Sequence, residues 1–162
     1  MNEETATTPR PAIPQHLRET GLTNFAPYLM NRIMGRYNAS LREEMAGLGL
    51  TTPKMRTIAV LSVIDAPLIR ELAVYTVTEQ STLSRALDQL TTEGLIRRET
   101  DPADSRATRV FITESGRAAF DILWPHMSAA QARMFHGIPK EERAAFVVTL
   151  QKMLANIRKH EI

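Results

Sequence analysis

Residues Thr78–Thr113 read TEQSTLSRALDQLTTEGLIRRETDPADSRATRVFIT, and the fold follows from how this stretch divides. Leu83, Ala86, Leu87 and Leu90 recur at three- and four-residue spacing, which predicts a helix with one buried face. Thr78 is the expected N-cap. Ser81, Arg85 and Asp88 fall on the opposite side of the wheel, with Gln80, Thr82 and Ser84 beside them. Gly94 predicts the stop. Leu95-Ile96-Arg97-Arg98 then reads as a strand, Asp101-Pro102 as the start of a turn, and Arg109–Thr113 as the returning strand with Val110 and Ile112 facing inward. A polar-faced helix followed by a charged hairpin is suited to touching two surfaces of a nucleic-acid duplex at once.

Upstream, Thr51-Thr52-Pro53 predicts a helix with Thr52 as N-cap and Pro53 at the first helical position, running to about Val63. Asp65-Ala66-Pro67 breaks it. A short helix then carries Ile69, Leu72 and Ala73, and a turn covers Tyr75 to Val77. Helix, helix, helix, strand, strand over 51–113 is the order of a winged helix-turn-helix DNA-binding domain. Two strongly amphipathic segments flank it. Over 24–47, Phe25, Leu29, Ile33, Tyr37, Leu41 and Met45 recur every four residues, with Gly47 as the stop. Over 114–160, one helix runs from Thr113 as cap to about Met134, with Pro125 inside it predicting a kink near Asp121. A second helix repeats Phe146, Leu150, Met153 and Ile157. These faces are wider than one small neighbour covers, so 24–47 plus 114–160 read as a helical dimerisation region. Residues 1–20, with Pro9, Pro11 and Pro14, read as a flexible arm, or as one that crosses onto a partner subunit. The fold class is mainly α (α+β).

Composition excludes more than it selects. The chain has no cysteine, which removes disulfides, thiolate metal sites and thiol redox chemistry together. No run of about eighteen apolar residues is present, so a soluble, cytoplasmic protein without a membrane partner is expected. His16, His126, His136 and His160 are scattered, with no carboxylate at ligand spacing, so no metal is expected. No phosphate-loop, dinucleotide or nucleophile-elbow pattern occurs, so neither a cofactor nor an enzyme is expected. Lys and Arg number 20 against 18 Asp and Glu. Across 51–113 the basic residues Lys54, Arg56, Arg70, Arg85, Arg97, Arg98, Arg106 and Arg109 are matched by as many acids. Any DNA binding must come from segregating charge onto one face.

Ile69–Ile96 and Asp101–Gly116 resemble the MarR family of bacterial transcription regulators. The likeness rests on the QSTLSR start of the polar-faced helix, its exit through LTTEGLI, the DSR wing tip and the TESG lead-in to the next helix. It extends over about Phe25 to Arg158. The resemblance implies a homodimer with two winged lobes on a pseudo-palindromic operator. It also implies a repressor often released by a small, frequently aromatic ligand.

The residues suit that chemistry. Gln80 can pair with an adenine edge, Ser81, Thr82 and Ser84 with bases or phosphates, and Arg85 with guanine or phosphate in the major groove of double-stranded DNA. Arg106 at the loop tip can enter the minor groove. Asp104 has the wrong charge to touch DNA and is expected to support the wing by holding a guanidinium, which the family likeness makes that of Arg106 or a neighbour. The likeness also places an effector pocket where the dimer layer meets the lobe, with Tyr28, Met30, Tyr37, Trp124 and Met127 as lining candidates, although stripes at helical spacing are usually core. Two other readings compete with the regulator. One is an architectural winged helix with little sequence preference; the other is an interaction module that no longer binds DNA. Arg106→Ala is predicted to weaken operator binding by roughly 1–3 kcal/mol. An unchanged dissociation constant at matched salt removes the wing contact.

Overall fold

The computed structural model describes residues 21–160. The proposed arm at 1–20 lies outside them. Six α-helices and one hairpin follow in order: α1 (Ala26–Met45), α2 (Thr52–Leu61), α3 (Ile69–Thr76), α4 (Gln80–Thr92), β1 (Ile96–Thr100), β2 (Thr108–Ile112), α5 (Glu114–Met134) and α6 (Lys140–Ile157). The chain divides into two compact units, with the boundary inside α1 between Arg36 and Tyr37.

In the first unit, a 3₁₀ turn at Leu22–Asn24 leads into the start of α1. Phe25, Leu29, Ile33 and Met34 are exposed along it. Arg32 stacks over the Tyr28 ring and donates to its hydroxyl at 3.3 Å.

The second unit is built on one apolar cluster. Leu83, Leu87 and Leu90 of α4 meet Leu72 of α3, Met55, Ile58 and Leu61 of α2, Ile96 and Val110 of the hairpin, and Leu123 and Ala130 of α5, with Leu41 and Met45 closing it from the end of α1. Burying each such leucine contributes about 1.5–3 kcal/mol. The four-residue spacing of Tyr37, Leu41 and Met45 thus serves the lobe's own core. Buried Thr57 and Thr76 return their hydroxyls to carbonyls four residues back, so neither leaves an orphan donor.

The helix ends differ from expectation by one or two residues, with definite causes. The stop after α1 is Gly49, left-handed at φ 63°, which closes a 3₁₀ turn over Ala46–Leu48; Gly47 lies inside that turn. Thr51, not Thr52, is the N-cap of α2, and Pro53 sits one place further in. Thr78 does not cap α4. Its hydroxyl turns back to the Thr76 carbonyl at 3.1 Å, and Glu79 occupies the N-cap. Val77 explains why. The Thr78 N–H reaches the Ala73 carbonyl and the Val77 N–H reaches that of Val74, a Schellman closure of α3. Its left-handed residue is ordinarily glycine but here is valine, at φ 48° and ψ 52°. A β-branched residue in that region costs on the order of 1–3 kcal/mol.

β1 and β2 pair antiparallel with Ile96 opposite Ile112 and Thr100 opposite Thr108. Leu68 bridges to Arg109, and the Val110 N–H donates to the Pro67 carbonyl at 3.0 Å, so the loop before α3 forms a third, short edge. Thr113 caps α5 as predicted, accepting from the Gly116 N–H at 3.1 Å while donating to the Gly94 carbonyl at 2.7 Å. α5 continues through Pro125. At its far end, Phe135 meets Phe146 of α6 edge-on, with centroids 6.2 Å apart. α6 itself buries no residue.

Glu44 joins α1 to α5. Its carboxylate takes hydrogen bonds from His126 at 2.8 Å, Arg133 at 2.7 Å and Ser40 at 3.1 Å. The bond from His126, with those from Ser40 and Arg133, outweighs the burial that opposes it and holds Glu44 below the usual glutamate range. His126 is therefore a structural histidine.

Gly116 is held where no side chain fits. A Cβ there would stand 2.1 Å from the Leu95 carbonyl oxygen and 2.8 Å from Ile112. Gly116→Ala must push α5 off the base of the hairpin. It is expected to cost about 1–3 kcal/mol or more by chemical denaturation, and unchanged stability would contradict this close approach.

Candidate nucleic-acid interface

The interface candidates start from α4. Its inner face, Leu83, Ala86, Leu87 and Leu90, is buried, so the helix cannot rotate without exposing leucine. That constraint turns Gln80, Ser81, Ser84 and Arg85 outward, where all four are exposed; Thr82 is half-buried at the edge of the same face. Arg85 lies along its own helix, its Nε donating to the Ser81 carbonyl at 3.4 Å, and among the described residues its charge meets no acid. Glu79 is the helix-start residue and is exposed.

Asp88 shares the outward face and would repel phosphate. Arg98 of β1 reaches across and pairs with it at 2.8 Å. Arg97 pairs with Glu99 and lies over the Phe111 ring at 4.0 Å from the centroid, a cation–π contact on the hairpin surface. Arg97 is thus occupied within the hairpin and Arg98 by α4.

The wing loop is organised by Asp101, a residue read from sequence only as the start of a turn. Its side chain is buried, and its Oδ1 accepts the backbone N–H groups of Ala103 and Asp104 at 2.6 and 3.2 Å. Its Oδ2 meets Arg109 Nε at 2.6 Å. Arg109 in turn donates to the Ala66 carbonyl at 2.9 Å, on the loop before α3. Hydrogen bonding from Ala103, reinforced by the Arg109 charge, outweighs burial and depresses the Asp101 pKa. The chain Asp101–Arg109–Ala66 fastens the wing to the helix-turn-helix. The available sequence signal was the side-chain turn that aspartate makes with N–H groups two residues on. The arginine partner had no local signal.

Asp104 has the narrower role. Its Oδ1 accepts the Arg106 backbone N–H at 3.0 Å and stands 3.5 Å from Arg106 Nε. The guanidinium expected for Asp104 is thus that of Arg106, and the contact lies at the tip, while Asp101 ties the wing to the loop before α3. Arg106 projects from that tip with its side chain 92% exposed. At the other end of α4, buried Lys54 of α2 donates to the Gly49 carbonyl at 3.0 Å and to Glu93 at 2.6 Å, fixing the helix exit. A buried ammonium requires both partners.

The pocket candidates are divided between the two units. Tyr37 and Met127 are half-buried against the core of the second unit. Burial raises the Tyr37 pKa, and the nearby Arg56 charge opposes the rise. Trp124 is half-exposed, with its ring 6.0 Å from that of Phe120. Tyr28 and Met30 belong to the first unit and are half-buried there. Among the described residues, no cluster of three or more His, Asp or Glu side chains is arranged for a metal ion, and no helix is long and apolar enough to cross a membrane.

Comparison with known proteins agrees with this architecture. The sequence profile of the MarR family matches residues 48–107. A crystal structure of a MarR-family transcriptional regulator from Silicibacter pomeroyi is 61% identical, with a TM-score of 0.85 over 90% of this chain and 99% of that one. A second MarR-family transcriptional regulator, from Silicibacter pomeroyi DSS, is 30% identical, with a TM-score of 0.80 over 86% and 93% of the two chains. BpsR of Bordetella bronchiseptica, whose DNA binding is regulated by 6-hydroxynicotinic acid, is 26% identical, with a TM-score of 0.70 over 79% and 97%.

The Asp101 linkage has a pH consequence. Because its folded pKa is depressed, its contribution is complete above the ordinary aspartate range and disappears as pH falls through the lower folded value. Asp101→Asn is expected to lower the melting temperature at neutral pH and to flatten the acid limb of the melting-temperature profile. An unaltered acid limb would remove Asp101 as the organiser of the wing.

Proposed function

We infer the function from one fact: the chain belongs to the MarR family of transcriptional regulators. It is a DNA-binding regulator and not an enzyme. Beyond that, we propose that it acts in the cytoplasm as a homodimeric repressor on a pseudo-palindromic operator. In this reading α4 enters the major groove, with Gln80, Ser81, Thr82, Ser84 and Arg85 toward the bases and phosphates, while Arg106 reaches the adjacent minor groove. The observation that carries it is the pairing of an unoccupied polar helix face with an exposed arginine tip, both fastened to one core.

Dimerisation is supported by apolar surface that is exposed among the described residues. Phe146, Val147, Val148, Leu154 and Ile157 are exposed on α6, and Phe25, Leu29, Ile33 and Met34 on α1. Patches of this kind mark association surfaces. A second copy supplies a matching face through an isologous contact.

An effector site is proposed on the second unit at Tyr37, Trp124 and Met127, with small aromatic acids as the ligand class. BpsR's response to 6-hydroxynicotinic acid supports that choice of class.

Selection of bound fragments from genomic DNA, followed by mobility shift with excess competitor, tests the regulator reading. A discrete competitor-resistant complex is the expected result. Uniform loss to competitor supports an architectural protein, and no shift an interaction module. Trp124 is the single tryptophan, so titration with 6-hydroxynicotinic acid and phenolic acids is expected to give a saturable fluorescence change that accompanies operator release. A flat titration across these acids would exclude the proposed site.

A further inference from the structure

Arg56 of α2 lies at a junction that the DNA-contact residues do not explain. Its Nη1 donates to the last carbonyl of α3, Thr76, at 3.2 Å and to that of Val77 at 3.3 Å. Its Nη2 lies 3.5 Å from the Asn38 Oδ1 of α1. One planar guanidinium therefore touches α1 and the helix-turn-helix turn at once, from a third element. Such a fork suits arginine and not lysine.

The turn it grips is the strained one. Val77 holds a left-handed conformation that glycine adopts freely and a β-branched residue resists. The residue is 81% exposed, so little packing compensates the strain. The turn is retained by hydrogen bonds: the Schellman pair within α3, Thr78 back to Thr76, and Arg56. Only Thr78 and Glu79 separate Val77 from the first residue of α4. Within the one rotation that the leucine core allows, a change of backbone angle at Val77 displaces the start of α4, Gln80–Arg85, and base recognition tolerates only about half an ångström of such displacement.

We propose that Arg56 is a positioning residue for DNA reading: its guanidinium clamps the strained Val77 turn and so sets the aim of the first two turns of α4. The clamp deepens the reading of α4 as the DNA-reading helix and rests on it. It works on specificity more than on affinity for DNA in general. Phosphate attraction is long-range and tolerates a misaimed helix, whereas bidentate base contacts do not. It also ties that aim to Asn38, so displacement of α1 against α2 is felt at the turn.

The experiment uses the full chain and four variants: Arg56→Met, Arg56→Lys, Val77→Gly and the Arg56→Met/Val77→Gly double. Operator and non-specific dissociation constants are measured by fluorescence anisotropy, well below each variant's melting temperature, on a fragment selected with the wild-type protein. Arg56→Met is expected to lower the ratio of operator to non-specific affinity by about tenfold, with non-specific binding unchanged. Arg56→Lys keeps the charge but loses the fork, and is expected to fall between. Glycine holds the left-handed turn unaided, so Val77→Gly is expected to keep wild-type specificity and to restore most of it in the double variant. A merely structural arginine would change melting temperature without moving this ratio.

Equal loss of both affinities in Arg56→Met, or no rescue by Val77→Gly, overturns the proposal. If Arg56→Met does not fold, unchanged specificity in folded Arg56→Lys overturns it as well. A wild-type chain that selects no preferred fragment overturns the regulator reading and this proposal together. A wild type with a preferred fragment and variants of equal specificity overturns this proposal alone.

Discussion

The burial of one leucine stripe orders everything else in the winged helix-turn-helix lobe. Leu83, Leu87 and Leu90 are fully buried, and they can be so in only one rotation of α4. That rotation settles which side chains face outward. The same cluster takes in Val110 of the wing and Leu123 of α5, so hairpin and helix are referred to a common centre. The helix face and the arginine tip are held at a fixed distance from each other by this shared, close-packed apolar core.

Charge does the finer work by pairing and not by excess. The lobe is neutral overall, yet its acids are placed against particular cations: Asp88 against Arg98, Glu93 against Lys54, Asp101 against Arg109. These pairs have different standing. Exposed Asp88–Arg98 adds little to stability, but it covers a carboxylate on the face that would otherwise meet phosphate. Asp101 is buried and hydrogen-bonded on both oxygens, so removing its partner leaves a carboxylate uncompensated. Arg85 and Arg106 are left with weak partners, and both are exposed.

Backbone constraint supplies the remaining precision. Gly116 lets α5 approach the Leu95 carbonyl closer than any other residue permits, while Thr113 bonds both α5 and the end of α4. Val77 is the opposite case. A residue with a Cβ occupies a position suited to glycine, and the strain is held by neighbours. One site is rigid because a side chain is missing, the other because surrounding bonds outvote the side chain present.

The sequence by itself determined the element order, the inward face of α4, the cap at Thr113 and membership of a winged helix-turn-helix class, because these depend on spacings of two to four residues. It also singled out Gln80, Ser81, Ser84, Arg85 and Arg106, all of which are exposed in the structure. It misplaced the cap of α4 at Thr78, because the Val77 turn draws that hydroxyl backward, and it read Asp101 only as the start of a turn. Only the tertiary structure decided the partners: His126 with Glu44, Lys54 with Glu93, Arg109 with Ala66, Arg56 with the Thr76 and Val77 carbonyls. Each joins residues twenty or more positions apart, and local periodicity carries no record of such distances. Which charges meet is settled when the leucine core closes and fixes the helix ends in space.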